Sequence, residues 1–319
     1  MTLSFLLLVC AGLCSVIVGV AVGHVERRGY SLVRYQLLNC AVCVAVAVAG
    51  WAAAPSAMFP SSGCPPATWA LVVAGTLLCG VFQYLMILMM GRAMKRGPNA
   101  IVWAIIQSGL IYPFLMGWLV FGSSMGPRRL AGIALILASV FLYASGKSRS
   151  AAASNETDAR KRAPLRGWLP AALLGMLFCG ANQCGANLPS YLEGGKDFSG
   201  TFRTLSIYSG LLLAALTHIA VQRVQGMRLA PARRGEIRDL ALWAGATGLL
   251  TFLLCRYLKF PGLDRLESLG AGSMGYPVFV AACIAGYFPY GALVLRERLD
   301  ARQAAGFVLG ISGILLGCL

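Results

Sequence analysis

Along this chain the apolar positions run on without alternating. Ten stretches carry the pattern: residues 3–23, 33–54, 68–91, 98–121, 127–146, 167–188, 202–222, 239–258, 269–293 and 303–319. Each is about long enough to cross ~30 Å of hydrocarbon as an α-helix. None shows the period of two that a transmembrane barrel strand carries. A helix satisfies its own backbone in lipid, so the pattern predicts an all-α, polytopic membrane protein of ten transmembrane helices. The first stretch lies in MTLSFLLLVCAGLCSVIVGVAVGHVERR, whose charges follow the apolar run and do not precede it. It therefore reads as a retained helix and not as a cleaved leader.

Composition and charge sharpen this picture. The 319 residues are 58% hydrophobic and 12% charged, with a mean hydropathy of +0.73. Soluble domains carry about 25% charged residues, so this chain has too little polar surface for water. Its net charge of +16 is spread over short loops, which argues against nucleic acid as a partner. The basic residues sort by side. Arg27, Arg28, Arg34, Arg92, Lys95, Arg96, six in residues 147–166, Arg223, Arg228, Arg233, Arg234, Arg238, Arg296, Arg298 and Arg302 follow odd-numbered stretches. Arg128, Arg129, Lys196, Arg203, Arg256, Lys259 and Arg265 fall on the other side. Lysine and arginine stay cytoplasmic, so both termini are expected outward and residues 147–166 inside. Arg203 and Arg256, near the outer helix ends, are expected to snorkel.

Residues 147–166 form a polar linker without periodicity, expected to be flexible. Its Asn155-Glu156-Thr157 matches a glycosylation acceptor that a cytoplasmic loop would never use. The linker divides the chain into a first five-helix unit, 1–146, and a second, 167–319. GPRRLAGIALILASVFL at 126–142 overlies DARQAAGFVLGISGILL at 300–316, with Arg128/Arg302, Ala131/Ala305, Gly132/Gly306, Leu135/Leu309 and Leu142/Leu316 identical. An odd number of spans per unit makes the two units antiparallel across the membrane, an arrangement that transporters use with a site at the repeat interface.

LVLRERLDARQAAGFVLGISGILLG resembles the end of an EamA-type half in the drug/metabolite transporter superfamily, a short loop with Glu297 leading into a Gly-rich helix. The first half departs from that pattern, because Ser123 falls opposite Glu297. The outward termini and GVFQYLMILMMGRAMKRGPNAIVWAIIQSG are similar to the rhamnose–proton symporter and related sugar porters. The superfamily resemblance spans the chain in helix count and layout, and the sugar-porter resemblance rests on the third, fourth and sixth stretches. The resemblance implies a secondary transporter in a bacterial inner membrane, either a carrier of a small neutral polar, sugar-like solute working by alternating access or, as the wider superfamily implies, an exporter of amino acids, metabolites or drugs.

FCGANQCGANLPSY, residues 178–191, places three carboxamides in an apolar run. At 100° per residue Gln183, Asn187 and Ser190 share one face, with Tyr191 beside them and Asn182 on the flank. Asn99, Trp103 and Gln107 recur at i, i+4 and i+8 in the fourth stretch. Gln83 and Tyr84 lie in the third, Asn39 in the second, and Tyr276, Tyr287 and Tyr290 on one face of the ninth. Carboxamides that donate and accept, mixed with flat rings, suit a neutral, hydroxyl-rich solute such as a sugar. The candidate substrate-binding residues are Gln83, Tyr84, Asn99, Trp103, Gln107, Asn182, Gln183, Asn187, Tyr276 and Tyr287. The same groups also serve as hydrogen-bonding glue between helices, which needs no solute.

The remaining chemistry is sparse. All eleven acidic residues, Glu236, Asp264 and Glu267 among them, fall in loops or at stretch ends, so no buried-carboxylate proton relay is expected. His218 lies about a turn from the cytoplasmic end of its stretch and His24 at the end of the first. Of eleven cysteines only Cys64 is clearly in a loop, and Cys40 and Cys43 lack a second pair for metal binding. Small, polarizable packing is their expected role. No cofactor is expected, and no enzyme, because nothing supplies a convergent acid–base or metal cluster. There is no G-x-x-x-x-G-K-[ST] for ATP. A scaffold without transport would have no reason to line helix faces with carboxamides. Gly306, Gly310, Gly313 and Gly317, and Gly19 with Gly23, have small-xxx-small spacing for close helix contact, which also allows a homodimer. The expected partners are the lipid bilayer and a small-molecule substrate.

Overall fold

The computed structural model describes residues 2–55, 58–60, 64–97, 99–123, 126–145, 149–150, 167–226, 231–294, 297–298 and 301–318. Twelve α-helices account for most of them. They are α1 (Thr2–Arg28), α2 (Leu32–Ala53), α3 (Pro66–Met94), α4 (Asn99–Gln107), α5 (Ile111–Leu115), α6 (Pro127–Ser145), α7 (Leu169–Tyr191), α8 (Gly200–Val224), α9 (Glu236–Leu254), α10 (Phe260–Ser268), α11 (Gly275–Leu293) and α12 (Ala301–Cys318). The one sheet among the described residues is a two-residue antiparallel pair, Arg149–Ser150 against Glu297–Arg298. Residues 149–150 of the linker are thus paired; residues 151–166, with the Asn155-Glu156-Thr157 pattern, lie outside the described residues.

Eight helical segments are long and apolar enough to cross a membrane, as in a polytopic membrane protein. α6 and α12, of 19 and 18 residues, are two further apolar helices and pack along each other. Helix starts follow local chemistry. The Ser31 hydroxyl accepts from the Arg34 amide at 3.4 Å and the Ser199 hydroxyl from the Phe202 amide at 3.2 Å, each satisfying one otherwise free amide.

Two spans are irregular where proline demands it. The fourth runs α4, a 3₁₀ turn Ser108–Leu110, α5, and a π-helical turn Met116–Val120. Pro113 has no N–H to offer the Gly109 carbonyl, so the ladder breaks at that turn. The eighth runs α9, a π-helical turn Cys255–Lys259, then α10, with Pro261 just beyond the turn. This corrects the sequence reading. The helical segment continues from Glu236 to Ser268 and does not end at 258. Lys259, Asp264, Arg265 and Glu267 are therefore helical residues, not loop residues.

The helices pair α1 with α11, α2 with α8 and α9, α3 with α7 and α8, and α4 and α5 with α7. Glycine makes the closest approaches possible. A Cβ at Gly80 of α3 would meet the Ile207 carbonyl of α8, and one at Gly210 of α8 the Leu77 carbonyl of α3. A Cβ at Gly313 of α12 would stand 2.6 Å from the Gly132 carbonyl of α6. This is the packing expected of the α12 glycines.

Candidate functional site

A chain of polar side chains crosses the bundle interior. The Gln183 amide of α7 donates to the Cys179 sulfur at 3.1 Å, and the Cys179 thiol donates to Gln107 Oε1 of α4 at 3.6 Å. Gln107 Nε2 reaches the Cys283 sulfur of α11 at 3.9 Å. The Ser15 hydroxyl of α1 lies 3.1 Å from that sulfur and donates to the Gly12 carbonyl at 2.7 Å. Gln107, Gln183, Cys179 and Cys283 are all buried. Four helices from both ends of the sequence thus converge through neutral donors and acceptors.

Two atoms along this chain are unsatisfied. Buried Gln183 Oε1 has no donor, and the buried Trp103 indole Nε1 has no acceptor within hydrogen-bond geometry, although it lies beside Cys283. A buried polar atom left so costs about 1–3 kcal/mol. Trp103 stacks on Tyr287 with ring centroids 5.3 Å apart and planes 17° apart. Gly19 makes room for both rings, and a Cβ at Gly23 would lie 3.3 Å from Asn99 Nδ2 and 3.9 Å from the Tyr287 hydroxyl. The α1 glycines therefore seat this aromatic pair.

Of the ten sequence-derived candidates, Gln107, Gln183, Trp103, Tyr287 and Asn99 fall in this region. The others are placed differently. Asn182 Nδ2 donates to the Cys79 carbonyl at 3.0 Å and binds α7 to α3. Tyr84 bonds His218 Nδ1 at 2.5 Å across α3 and α8, and Gln222 holds the other ring nitrogen at 3.0 Å. Asn187 donates to the Tyr191 hydroxyl at 3.2 Å, near the end of α7. Gln83 is half-buried on α3 and makes no hydrogen bond among the described residues. Asn39 donates to Thr247 at 2.8 Å, joining α2 to α9.

Tyr276 leads to the residue that the sequence reading misplaced. Lys259 projects from the π-helical turn into three rings, with its ammonium 5.2 Å from the centroid of Tyr276, 5.4 Å from Phe279 and 5.5 Å from Phe260. Its polar neighbours are the Tyr276 hydroxyl and the Cys255 and Cys79 thiols. Lys259 keeps part of its surface accessible, whereas Phe260 and Tyr276 are 1% exposed. Among the described residues no carboxylate lies within ion-pair distance of Lys259. A lysine at membrane depth costs roughly 3 kcal/mol. Three cation–π contacts return about 0.5–2 kcal/mol each, so the rings make the charge tolerable without neutralising it. The signal was legible in part: hydropathy ends the eighth stretch at 258, but a π turn before a proline carries the helix onward.

Arg203 requires a second correction. It does not snorkel; it is fully buried on α8. Its guanidinium donates to Asp264 Oδ1 of α10 at 2.9 Å and to the Gly195 carbonyl at 3.0 Å, and Ser190 donates to the same carboxylate oxygen at 2.6 Å.

Charged contacts gather at the end of the bundle formed by the α1 C-terminus and the α2 and α9 N-termini. Glu236 accepts from Arg34 at 3.0 Å, from the Ser31 amide at 3.1 Å and from the Arg233 amide at 2.9 Å. His24 meets Asp239 at 3.0 Å, Lys95 meets Glu26 at 3.2 Å, and Arg27 donates to Tyr290 at 2.9 Å. At the other end Phe121 stacks on Tyr191, centroids 4.5 Å apart. A separate cavity of about 190 Å³ lies between α2, α8 and the eighth span, lined by Trp51, Ser199, Thr201 and Arg256. It contains none of the polar chain.

No family model matches the chain, and no curated protein matches it. A solved crystal structure, described only as "protein", superposes with a TM-score of 0.61 at 14% sequence identity, over 99% of this chain and 98% of that chain. At that identity the likeness shows a shared fold.

Proposed function

We propose that this protein is a secondary transporter that moves a small polar metabolite, sugar-like in its hydroxyl chemistry, by alternating access. The observation that carries the reading is the polar chain Gln183–Cys179–Gln107–Cys283, which runs through the interior of an apolar bundle and leaves Gln183 Oε1 and Trp103 Nε1 unsatisfied. One lacks a donor and the other an acceptor. A hydroxyl is both at once, and the Trp103–Tyr287 pair offers a flat apolar face for a ring.

In this reading the chain is built from two inverted five-helix repeats, residues 1–146 and 167–319. The helix pairing supports it. Moving each span five places along the chain turns the α1–α11 pair into the pair of α7 with α4 and α5. It turns α3–α8 into α9–α2, and leaves α6–α12 and α2–α8 unchanged. The polar chain then lies where the repeats meet, as in transporters of this design. The broken fourth and eighth spans supply Gln107 and Lys259 beside their irregular turns, where π and 3₁₀ segments often mark function. Membership of the drug/metabolite transporter superfamily, a bacterial inner membrane and outward termini complete the proposal. They rest on the resemblance and the charge distribution.

The test is uptake into proteoliposomes by the purified full chain, with labelled sugars, amino acids and a cationic dye. Saturable uptake of a hydroxylated solute is expected. Uptake of the dye alone, or of none of these solutes, would refute the reading.

A further inference from the structure

We infer that the transported solute carries an anionic group and that Lys259 and Tyr276 hold it; this rests on the transport reading above. Lys259 is an ammonium inside the bundle with no carboxylate at ion-pair distance among the described residues. On the same span Glu267 lies about two turns beyond Lys259 and packs beside Gly272, and the other acids on the span are engaged by other groups. Asp264 is taken by Arg203 and Ser190, and Glu236 by Arg34 and two amides.

Tyr276 adds an independent observation. Its hydroxyl is buried, and the Lys259 ammonium beside it can donate to the phenol oxygen, but no group within hydrogen-bond distance accepts the tyrosine proton. An ammonium has three protons and no lone pair, so it cannot accept the tyrosine proton. The phenol proton and the remaining ammonium protons therefore still lack an acceptor. A carboxylate or phosphate oxygen would accept from both and supply the counter-charge, giving the strong, charge-assisted form of the bond. The rings of Phe260, Tyr276 and Phe279 hold the ammonium in place without competing for its protons.

Phe279, against the Lys259 ammonium, lies about one turn along α11 from Cys283, the sulfur that Gln107 reaches. The anion site and the hydroxyl-binding chain are thus neighbours. One solute with an anionic group and several hydroxyls would fill both.

The experiment measures binding and uptake on the full chain in lipid nanodiscs and proteoliposomes, with glucose, glucuronate and glucose 6-phosphate as probes. Thermal stabilisation by glucuronate or glucose 6-phosphate, but not by glucose, is expected. Which of the two works identifies the anion as carboxylate or phosphate. Lys259→Gln should weaken that binding by at least about thirtyfold, and Lys259→Arg should restore part of it. Lys259→Met without solute should melt no lower than the wild type, since an unpaired buried charge contributes little stability. A clear drop in its melting temperature would show a structural lysine and overturn the inference. So would equal binding of glucose and its charged relatives, with transport itself intact. Anion binding lost in Lys259→Gln without uptake of any probe would keep the anion site and sink the transport reading.

Discussion

Replacing Arg203 by methionine gives the sharpest stability test of the fold around the site. The guanidinium is fully buried and makes two strong contacts, Asp264 at 2.9 Å and the Gly195 carbonyl at 3.0 Å. Removing one partner of a buried ion pair costs about 3–5 kcal/mol, because the other charge is stranded. Here the Asp264 side chain is 22% exposed and keeps its bond from Ser190, which favours the lower end. The Gly195 carbonyl loses a donor, about 1–3 kcal/mol more. Arg203→Met is therefore expected to destabilise by about 4 kcal/mol. At a fixed scan rate the apparent melting temperature should fall by about 5 °C or more. Arg203→Met combined with Asp264→Leu removes the stranded carboxylate and should cost at least about 1.5 kcal/mol less than the two single changes added. A single variant that melts with the wild type, or a double variant that costs the plain sum, would show that the pair is not the clamp the geometry describes.

Four further outcomes follow from the packing and the proposed orientation. Gly80→Val pushes side-chain atoms into the Ile207 carbonyl and the Leu211 amide and should destabilise by about 2 kcal/mol. Gly245→Ala, with nothing within 4 Å of the new carbon, should stay within about 0.5 kcal/mol of the wild type by the same melting assay. Asn182→Ala removes the bond to the Cys79 carbonyl and should cost about 0.6–1.7 kcal/mol, read from its melting temperature with solute affinity retained. Cys64, between α2 and α3, should be labelled in intact cells by a membrane-impermeant maleimide, and the label should vanish in Cys64→Ser. Labelling only after lysis would invert the proposed orientation.

Much of the helical frame was legible because lipid leaves the backbone few choices. A continuous apolar run must be a helix that bonds to itself, and the glycine spacing of α12 announced a close helix contact, whose partner in the structure is α6. The site was legible only as far as one helix can show it. Periodicity placed Gln183 and Asn187 on a shared face, but the partner each meets lies on another part of the chain. Gln183 turns to Cys179 and, through it, to Gln107, whereas Asn187 turns to Tyr191. Asn182, one residue from Gln183, faces α3 and holds Cys79. Lys259 was misplaced because the charged residues that follow it resemble a loop, and no hydropathy window registers a π turn ahead of Pro261. Arg203 resembled an interfacial arginine until Asp264, 61 residues away, supplied its partner. The cysteines were assigned to packing, yet Cys179 and Cys283 carry the polar chain as weak donors and acceptors.

The most direct measurement compares solute uptake by Gln183→Ala with uptake by Asn182→Ala in proteoliposomes at matched protein density. The account predicts that Gln183→Ala loses uptake while Asn182→Ala, which touches α3 and not the polar chain, transports like the wild type. Wild-type uptake in Gln183→Ala, or equal loss in both, would contradict the claim that the cross-bundle polar chain is the binding site.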